Sequence, residues 1–443
     1  MSDFIQSSRI SPSAATLNVE SSWFTPISET GSAVWNNFSM PTRKTEDWKY
    51  TNLRILEKHA YFDTVAQGDK ANANVDGSLY DIPGLDTQRI VFVNGQFNRE
   101  LSSFTDDAAV ELCLFSEANE TQQEIIASKL NSAIDLDKHG FCALNTSRLA
   151  DGVLLRAKKN QRAEKPVQVV WVDSTADAAT NIFGRLLVVA EGNAELCVLE
   201  QHVSANDSFG VFASVVSEIF LEKNAQLTHY RLQSEQENLV HIGGVFAQLD
   251  AHARLNSFYL TLGSVLKRLD IDVRYMGEGA EATIKGVYLP KNKQHVDVHS
   301  CIEHAVPHCT TNEVFRGIIA DEARAVFSGR IHIHPDAQKT EAYLSNKNLL
   351  TSNKAEVDTK PELEIYADDV RCAHGATVAQ LDNMALHYLK TRGVSEAEAK
   401  VMLSFGFINE LISELKHVEV SNYLRPVLAT MFARDPALME HLL

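Results

Sequence analysis

Five times between residues 192 and 325 the chain repeats one local pattern: a polar or glycine-containing turn, an alanine, any residue, then an apolar residue entering a strand-like run. The instances are Gly192-Asn193-Ala194-Glu195-Leu196, Lys223-Asn224-Ala225-Gln226-Leu227, Ala251-His252-Ala253-Arg254-Leu255, Glu278-Gly279-Ala280-Glu281-Ala282 and Asp321-Glu322-Ala323-Arg324-Ala325. The alanines fall at 194, 225, 253, 280 and 323, in steps of 31, 28, 27 and 43 residues. A recurrence of this size describes a solenoid whose short strands bury their faces only when the next coil stacks on them. Strand-type periodicity, with no long amphipathic helix up to about residue 378, disfavours helical repeats. A parallel β-helix therefore ranks ahead of a large antiparallel sandwich.

The flanks read differently. From Ser13 to about His59 the chain is helical pieces and breaks, with Trp23 and Trp35 as anchors. Pro41 to Tyr50 reads as an exposed charged turn followed by a packed Trp48. Residues 63–89 lack either periodicity and read as a loop. Ile90–Val93 opens the strands, and Val167–Val172 begins the continuous β signal.

After Leu381 the pattern is helical. Ser395 and Glu398 have the capping-box spacing, and Val401, Phe405, Ile408, Ile412 and Leu415 line one face. Leu403, Phe407 and Leu411 form a second apolar row, which by itself favours a helix buried in a small terminal bundle over a docking surface. The expected organisation is a mostly helical region with a few strands over 1–150, a β-helix over 151–380 and a helical domain over 381–443.

Composition narrows the function. With 41 Lys plus Arg against 58 Asp plus Glu, the net charge is −17, so a surface tracking nucleic-acid phosphates would work against the overall field. Apolar runs fall far short of the roughly 20 residues of a membrane span. The Met1-Ser2-Asp3-Phe4 start lacks a secretory pattern, so a cytoplasmic location is expected. Six cysteines, none in a C-x-x-C pair, make no disulfide framework; reduced and mostly buried thiols are expected. Phosphate-loop, dinucleotide, zinc-protease and nucleophile-elbow motifs are all absent, so the chain is not expected to hydrolyse ATP itself.

Two segments could carry chemistry. On a strand, His295, Asp297, His299, Cys301 and Glu303 share one face, with Val296, Val298 and Ile302 on the other. Neighbours in such a row sit about 6–7 Å apart, too far for one ion without help from adjacent coils, so a polar sheet face is the simpler reading. His304, His308, Cys309, His332 and His334 lie nearby in sequence. The second segment is Cys372-Ala373-His374, whose thiol and imidazole project together from an extended chain. Both are iron ligands. A C-x-H pair alone has no specificity: a structural cysteine beside a turn histidine, or a Cys–His nucleophile pair, fits it too.

The run Lys354 to Val378, ending Arg371-Cys372-Ala373-His374-Gly375-Ala376-Thr377-Val378, resembles the C-terminal signature of the SufB/SufD family of the Suf iron–sulfur cluster assembly system. Pro41–Lys44 with Glu46–Thr51, Arg324–Gly329, Asn348–Leu350, and Tyr388-Leu389 with Arg392-Gly393 are similar to that family in the same order. Ala373-His374-Gly375, where the SufB branch has Glu-His-Glu, makes the likeness closest to the SufD branch. The resemblance implies a right-handed parallel β-helix between helical N- and C-terminal regions, acting as a non-catalytic scaffold. It implies pairing with a SufB-like paralogue through the β-helix, and docking of a SufC-like ABC ATPase on the C-terminal helices, which gives the second apolar row a docking role. A homodimer of the chain when alone is left open by the sequence.

It further implies that Cys372 and His374 hold metal and a transient iron–sulfur cluster, iron and sulfide shared with the paralogue, and that the isolated chain holds none tightly. Two rivals remain at this level: a β-helix enzyme acting on polysaccharide, and a self-sufficient metal-binding protein using His295, His299, Cys301 and His304.

Overall fold

The computed structural model describes residues 23–57, 62–63, 75–105, 107–149, 151–174, 180–206 and 210–432. The helical pieces expected before residue 23 and residues 64–74 of the loop expected over 63–89 lie outside these residues. Gly77–Leu79 is a short 3-10 turn within that loop.

From Asp151 onward, strands alternate between two sheets, and each pairs in parallel with the strand one coil later or earlier. This is the expected parallel β-helix. Along one sheet Gln226, Arg254, Glu281, Thr310, Glu341 and Arg371 stand in register, so a coil takes 27 to 31 residues.

The repeat has a physical origin. In one bend of each coil a residue with positive φ precedes a small buried side chain: Asn193 (60°) before Ala194, Asn224 (61°) before Ala225, His252 (58°) before Ala253, Gly279 (70°) before Ala280. The amides of Ala194, Ala225 and Ala253 donate to the carbonyls of Glu191, Glu222 and Asp250, closing tight turns. Asparagine tolerates the left-handed conformation better than most residues. Here it also bonds along the stack, Asn224 Nδ2 to Asn193 Oδ1 at 2.9 Å and Asn193 Nδ2 to Asn160 Oδ1 at 2.7 Å. The small side chains beneath are all buried and form a column.

The 43-residue step is not one coil. Ala323 precedes Arg324–Ile333, a strand of the opposite sheet, and the next member of the Ala280 column is Cys309, after His308 at φ 61°. Cysteine occupies a site for a small apolar group there, so the alanine pattern misses it.

Helices cover the outer faces. Helices Thr25–Asn37 and Gly140–Arg148 lie on one sheet, where Trp35, Trp48, Phe141, Phe183 and Phe212 form a cluster. Arg268 stacks its guanidinium 4.0 Å from the Trp48 ring centroid, which is the packed indole expected after the charged turn. On the other sheet, Phe405, Ile408, Leu411 and Ile412 of helix Glu396–Ser413, with Val420 and Leu424 of helix Val418–Phe432, pack on Tyr230, Phe258, Leu260, Val287 and Ile318. Both halves of the Ser395–Glu398 capping box are made. The second apolar row is thus largely used on the chain's own sheet: Leu411 is buried and Phe407 packs on the same cluster.

The two ends of the solenoid differ. At the start, Val110–Leu114 runs antiparallel to Asp151–Ala157, and the hairpin strand Gln96–Phe97 pairs antiparallel with Gln88–Val93. At the far end, strands Glu356–Ile365 and Arg371–Gln380, ten residues each, stand last in their sheets, and among the described residues one edge of each is unpaired. A long unpaired edge is a template for another chain. No described helix is long and apolar enough to cross a membrane.

Candidate functional site

The site lies at this open end. The Arg371 amide donates to the Thr340 carbonyl, so in a parallel ladder Arg371, Ala373, Gly375 and Thr377 turn their backbone groups inward. Cys372, His374, Ala376 and Val378 therefore present N–H and C=O to the open edge. Their register partners are Ala342, Leu344, Asn346 and Asn348, all buried, the first two within the apolar core between the sheets. The Cys372 thiol, half-buried, packs on that core, while His374 stands exposed at the mouth.

On the companion edge the same alternation, fixed by Glu356 N–H to Ala323 O, puts the nitrogen of Pro361 on the open side. It costs the sheet no hydrogen bond and blunts that edge for strand addition. Arg371–Gln380 carries no proline.

A polar network stiffens the last coils. Asn346 Nδ2 donates to Tyr288 Oη (2.9 Å), Asn348 Nδ2 to Asn346 Oδ1 (2.6 Å), and Thr359 Oγ1 to Asn346 Oδ1 (2.8 Å). It ties the penultimate coil to both edge strands, since Asn348 Nδ2 also reaches the Thr377 carbonyl. Gly329 is required by crowding: a Cβ there would come 2.5 Å from Leu344 Cδ1 and 2.9 Å from the Phe327 ring. These contacts account for two of the signature segments, 324–329 and 348–350.

Burial raises the Cys372 thiol above its ordinary range, offset in part by a backbone hydrogen bond from Ala342. A thiol is a poor metal ligand until deprotonated. Among the described residues, neither Cys372 nor His374 belongs to a group of three His, Cys, Asp or Glu within ligand distance of one another.

The row on strand His295–His304 is spent on structure. Asp297 accepts from Thr51 Oγ1 (2.5 Å) and Arg268 Nη1 (3.1 Å), and pairs with His299 Nε2 (2.9 Å); His295 Nε2 is 3.0 Å from Thr51 Oγ1. Cys301 lies 3.8 Å from an Arg330 nitrogen, and burial pushes its thiol up to about 11. His304 faces the interior, stacked on Tyr275 and bonded to Thr311, so it cannot join His295, His299 and Cys301 on the outer face. The face is polar sheet surface, largely covered by the N-terminal segment. Cys113 and Cys197, both pushed up by burial to about 12, are likewise inert thiols.

One interior group near the mouth escaped the sequence reading. Glu313 shares an inward column with Leu344 and His374, is fully buried, and burial pushes its carboxyl up to about 7 against a small opposing effect of Ser300. Folded Glu313 holds its proton to higher pH than the unfolded chain, so stability falls as pH rises from about 4.5 to about 7. Glu313→Gln should therefore melt higher than wild type at pH 8, by an amount on the order of 3 kcal/mol, with little difference at pH 4. Thermal denaturation at the two pH values checks this; an equal shift at both would contradict it.

The arrangement is that of a β-helix with, among the described residues, one unpaired end and a thiol–imidazole pair at its mouth. Two family profiles match the chain: "SufBD protein N-terminal region" over residues 21–169 and "SUF system FeS cluster assembly, SufBD core domain" over residues 172–407. The chain belongs to the SufBD family and acts in iron–sulfur cluster assembly. It is 30% identical over 394 residues to an iron–sulfur cluster assembly SufBD family protein of Synechocystis, covering 87% of this chain and 86% of that one. It is 32% identical over 380 residues to the iron–sulfur cluster assembly protein SufD of Escherichia coli, covering 85% and 86%. Family membership replaces the polysaccharide-active alternative.

Proposed function

We propose that the chain is the SufD-type scaffold subunit of a complex with a SufB-like paralogue and a SufC-like ABC ATPase, and that Cys372 and His374 supply its share of the ligands for a nascent cluster. The observation that carries this reading is the position of an incomplete ligand pair on a ten-residue strand whose outer edge is unpaired. A partner strand added there would cover the edge and bring further ligands to the mouth. Few thiolates shared between two chains suit a cluster that must be released. Anaerobic co-expression with the paralogue tests it: one heteromeric species is expected, and elution of the two chains apart would contradict it.

The ATPase would dock on helix Asn383–Thr391, which buries no residue. Met384 and Tyr388, one turn apart, are 81% and 57% exposed, and Arg392 lies over the Tyr388 ring. Exposed apolar groups in a row on a short helix favour a partner over solvent. Met384→Glu with Tyr388→Ala should weaken ATPase binding at least tenfold and leave the melting temperature unchanged. Binding by calorimetry checks this; unchanged affinity would move the docking surface elsewhere.

A further inference from the structure

The interior between the sheets contains a cluster of ionisable groups far from the open mouth. Glu200, held well below the usual carboxylate range despite burial by the Arg231 guanidinium, also contacts His229 Nε2 at 2.7 Å and Arg231 Nη1 at 2.9 Å. Two residues further along the same strand, His202 enters a second group with Glu235 and His241. One ligand-capable atom of each lies within 4.8 Å of the other two. The two imidazole rings meet edge to face at 5.2 Å between centroids. His202 and His241 are each 1% exposed and Glu235 is 6% exposed.

Two further observations bear on an ion here. Nε2 of His241 is buried with no hydrogen-bond partner among the described residues, and Nε2 of His202 has only a long contact, 3.8 Å, to Glu200 Oε2. Residue 243 is glycine because a Cβ there would collide with the Val215 carbonyl oxygen; as a consequence no side chain stands beside His241 Nε2, from which that Cβ would be 3.2 Å. The bend 234–238, which carries Glu235 and then the exposed Glu237 and Asn238, lies between this group and solvent along the chain.

We propose that His202, Glu235 and His241 form a binding site for one divalent first-row transition ion. Two neutral imidazoles and one carboxylate are the donor set of Fe(II) and Zn(II) sites with open positions. Glu235 now bonds His241 Nδ1 through Oε1 at 2.7 Å and pairs through Oε2 with Lys267 Nζ, also at 2.7 Å. An entering ion takes over part of the role of Lys267 as the counter-charge of Glu235. The site is independent of the cluster-assembly reading, because neither Cys372 nor His374 belongs to it.

The test uses the full-length chain, stripped with EDTA and handled anaerobically. Titrated separately with Fe(II) and with Zn(II) and then desalted, wild type should retain one equivalent of either ion. Cys372→Ala/His374→Ala should retain the same amount, and His202→Ala/His241→Ala less than a tenth of it. Co(II) gives a second readout that needs no variant to fold: d–d bands of four- or five-coordinate cobalt without thiolate charge transfer are expected. Retention of no ion by wild type, equal retention by the double-histidine variant, or a thiolate band would overturn the site.

Discussion

Replacing Cys372 by alanine should reduce iron and acid-labile sulfide in the anaerobically purified complex to less than a tenth of the wild-type level, with the complex still assembled. The thiol sits at the end of the apolar core and only half-buried, so losing it costs about 1 kcal/mol of stability or less. Its backbone N–H and C=O, which face the open edge, are retained in the variant. On the proposed reading, chemistry and assembly separate at one residue: the side chain would supply the ligand and the main chain the partner contact. His374→Ala should lower cluster content less, because imidazole is replaceable by water or a partner group more readily than a thiolate is. Iron and sulfide assays with size-exclusion chromatography check both variants. A Cys372→Ala complex that keeps its cluster would remove the residue from the site, and one that fails to assemble would make it structural.

Placing proline at residue 376 should weaken pairing with the paralogue at least a hundredfold while the chain still folds. Ala376 is the centre of the open edge, and its amide points away from the sheet, so the ring removes a bond that only a partner strand could make. The chain already carries a proline in the equivalent orientation at Pro361 on the neighbouring edge, which shows that such a substitution is tolerated at this end. Thr377→Pro is the control: its inward amide belongs to the ladder with Ser345–Lys347, so that variant should lose stability as well. Affinity by calorimetry, with circular dichroism for the fold, distinguishes the two. Equal pairing by wild type and Ala376→Pro would place the interface away from this strand.

The coil was legible in sequence because its bend needs a left-handed residue followed by a small buried one, a demand that few residue pairs meet. Where Cys309 met the same demand, a pattern built on alanine passed over it and jumped to the other sheet. Cys372 and His374 were legible as a pair because a strand alternates strictly, and only the structure shows that they face the core at its open end. The second apolar row on helix 396–413 favoured burial when read from the residues alone, and the chain's own sheet takes up Leu411 and Phe407; amphipathicity fixes how much of a helix is covered and not by what.

The interior ion pairs left a signal that was not used. Glu200 and Arg231 stand six residues after Ala194 and Ala225, at the same phase of successive coils, so opposite charges had to stack. Glu313 left none, because a buried neutral carboxyl looks in sequence like any surface glutamate.

The account stands most directly on where sulfide is held. Anaerobic purification of the wild-type chain alone and of its complex with the paralogue and the ATPase, followed by acid-labile sulfide per chain, measures this. The expected result is sulfide with iron in the complex and none in the isolated chain, whatever mononuclear ion the isolated chain binds. Stoichiometric sulfide in the isolated chain, or a complex that holds iron without sulfide, would contradict a site divided between two chains.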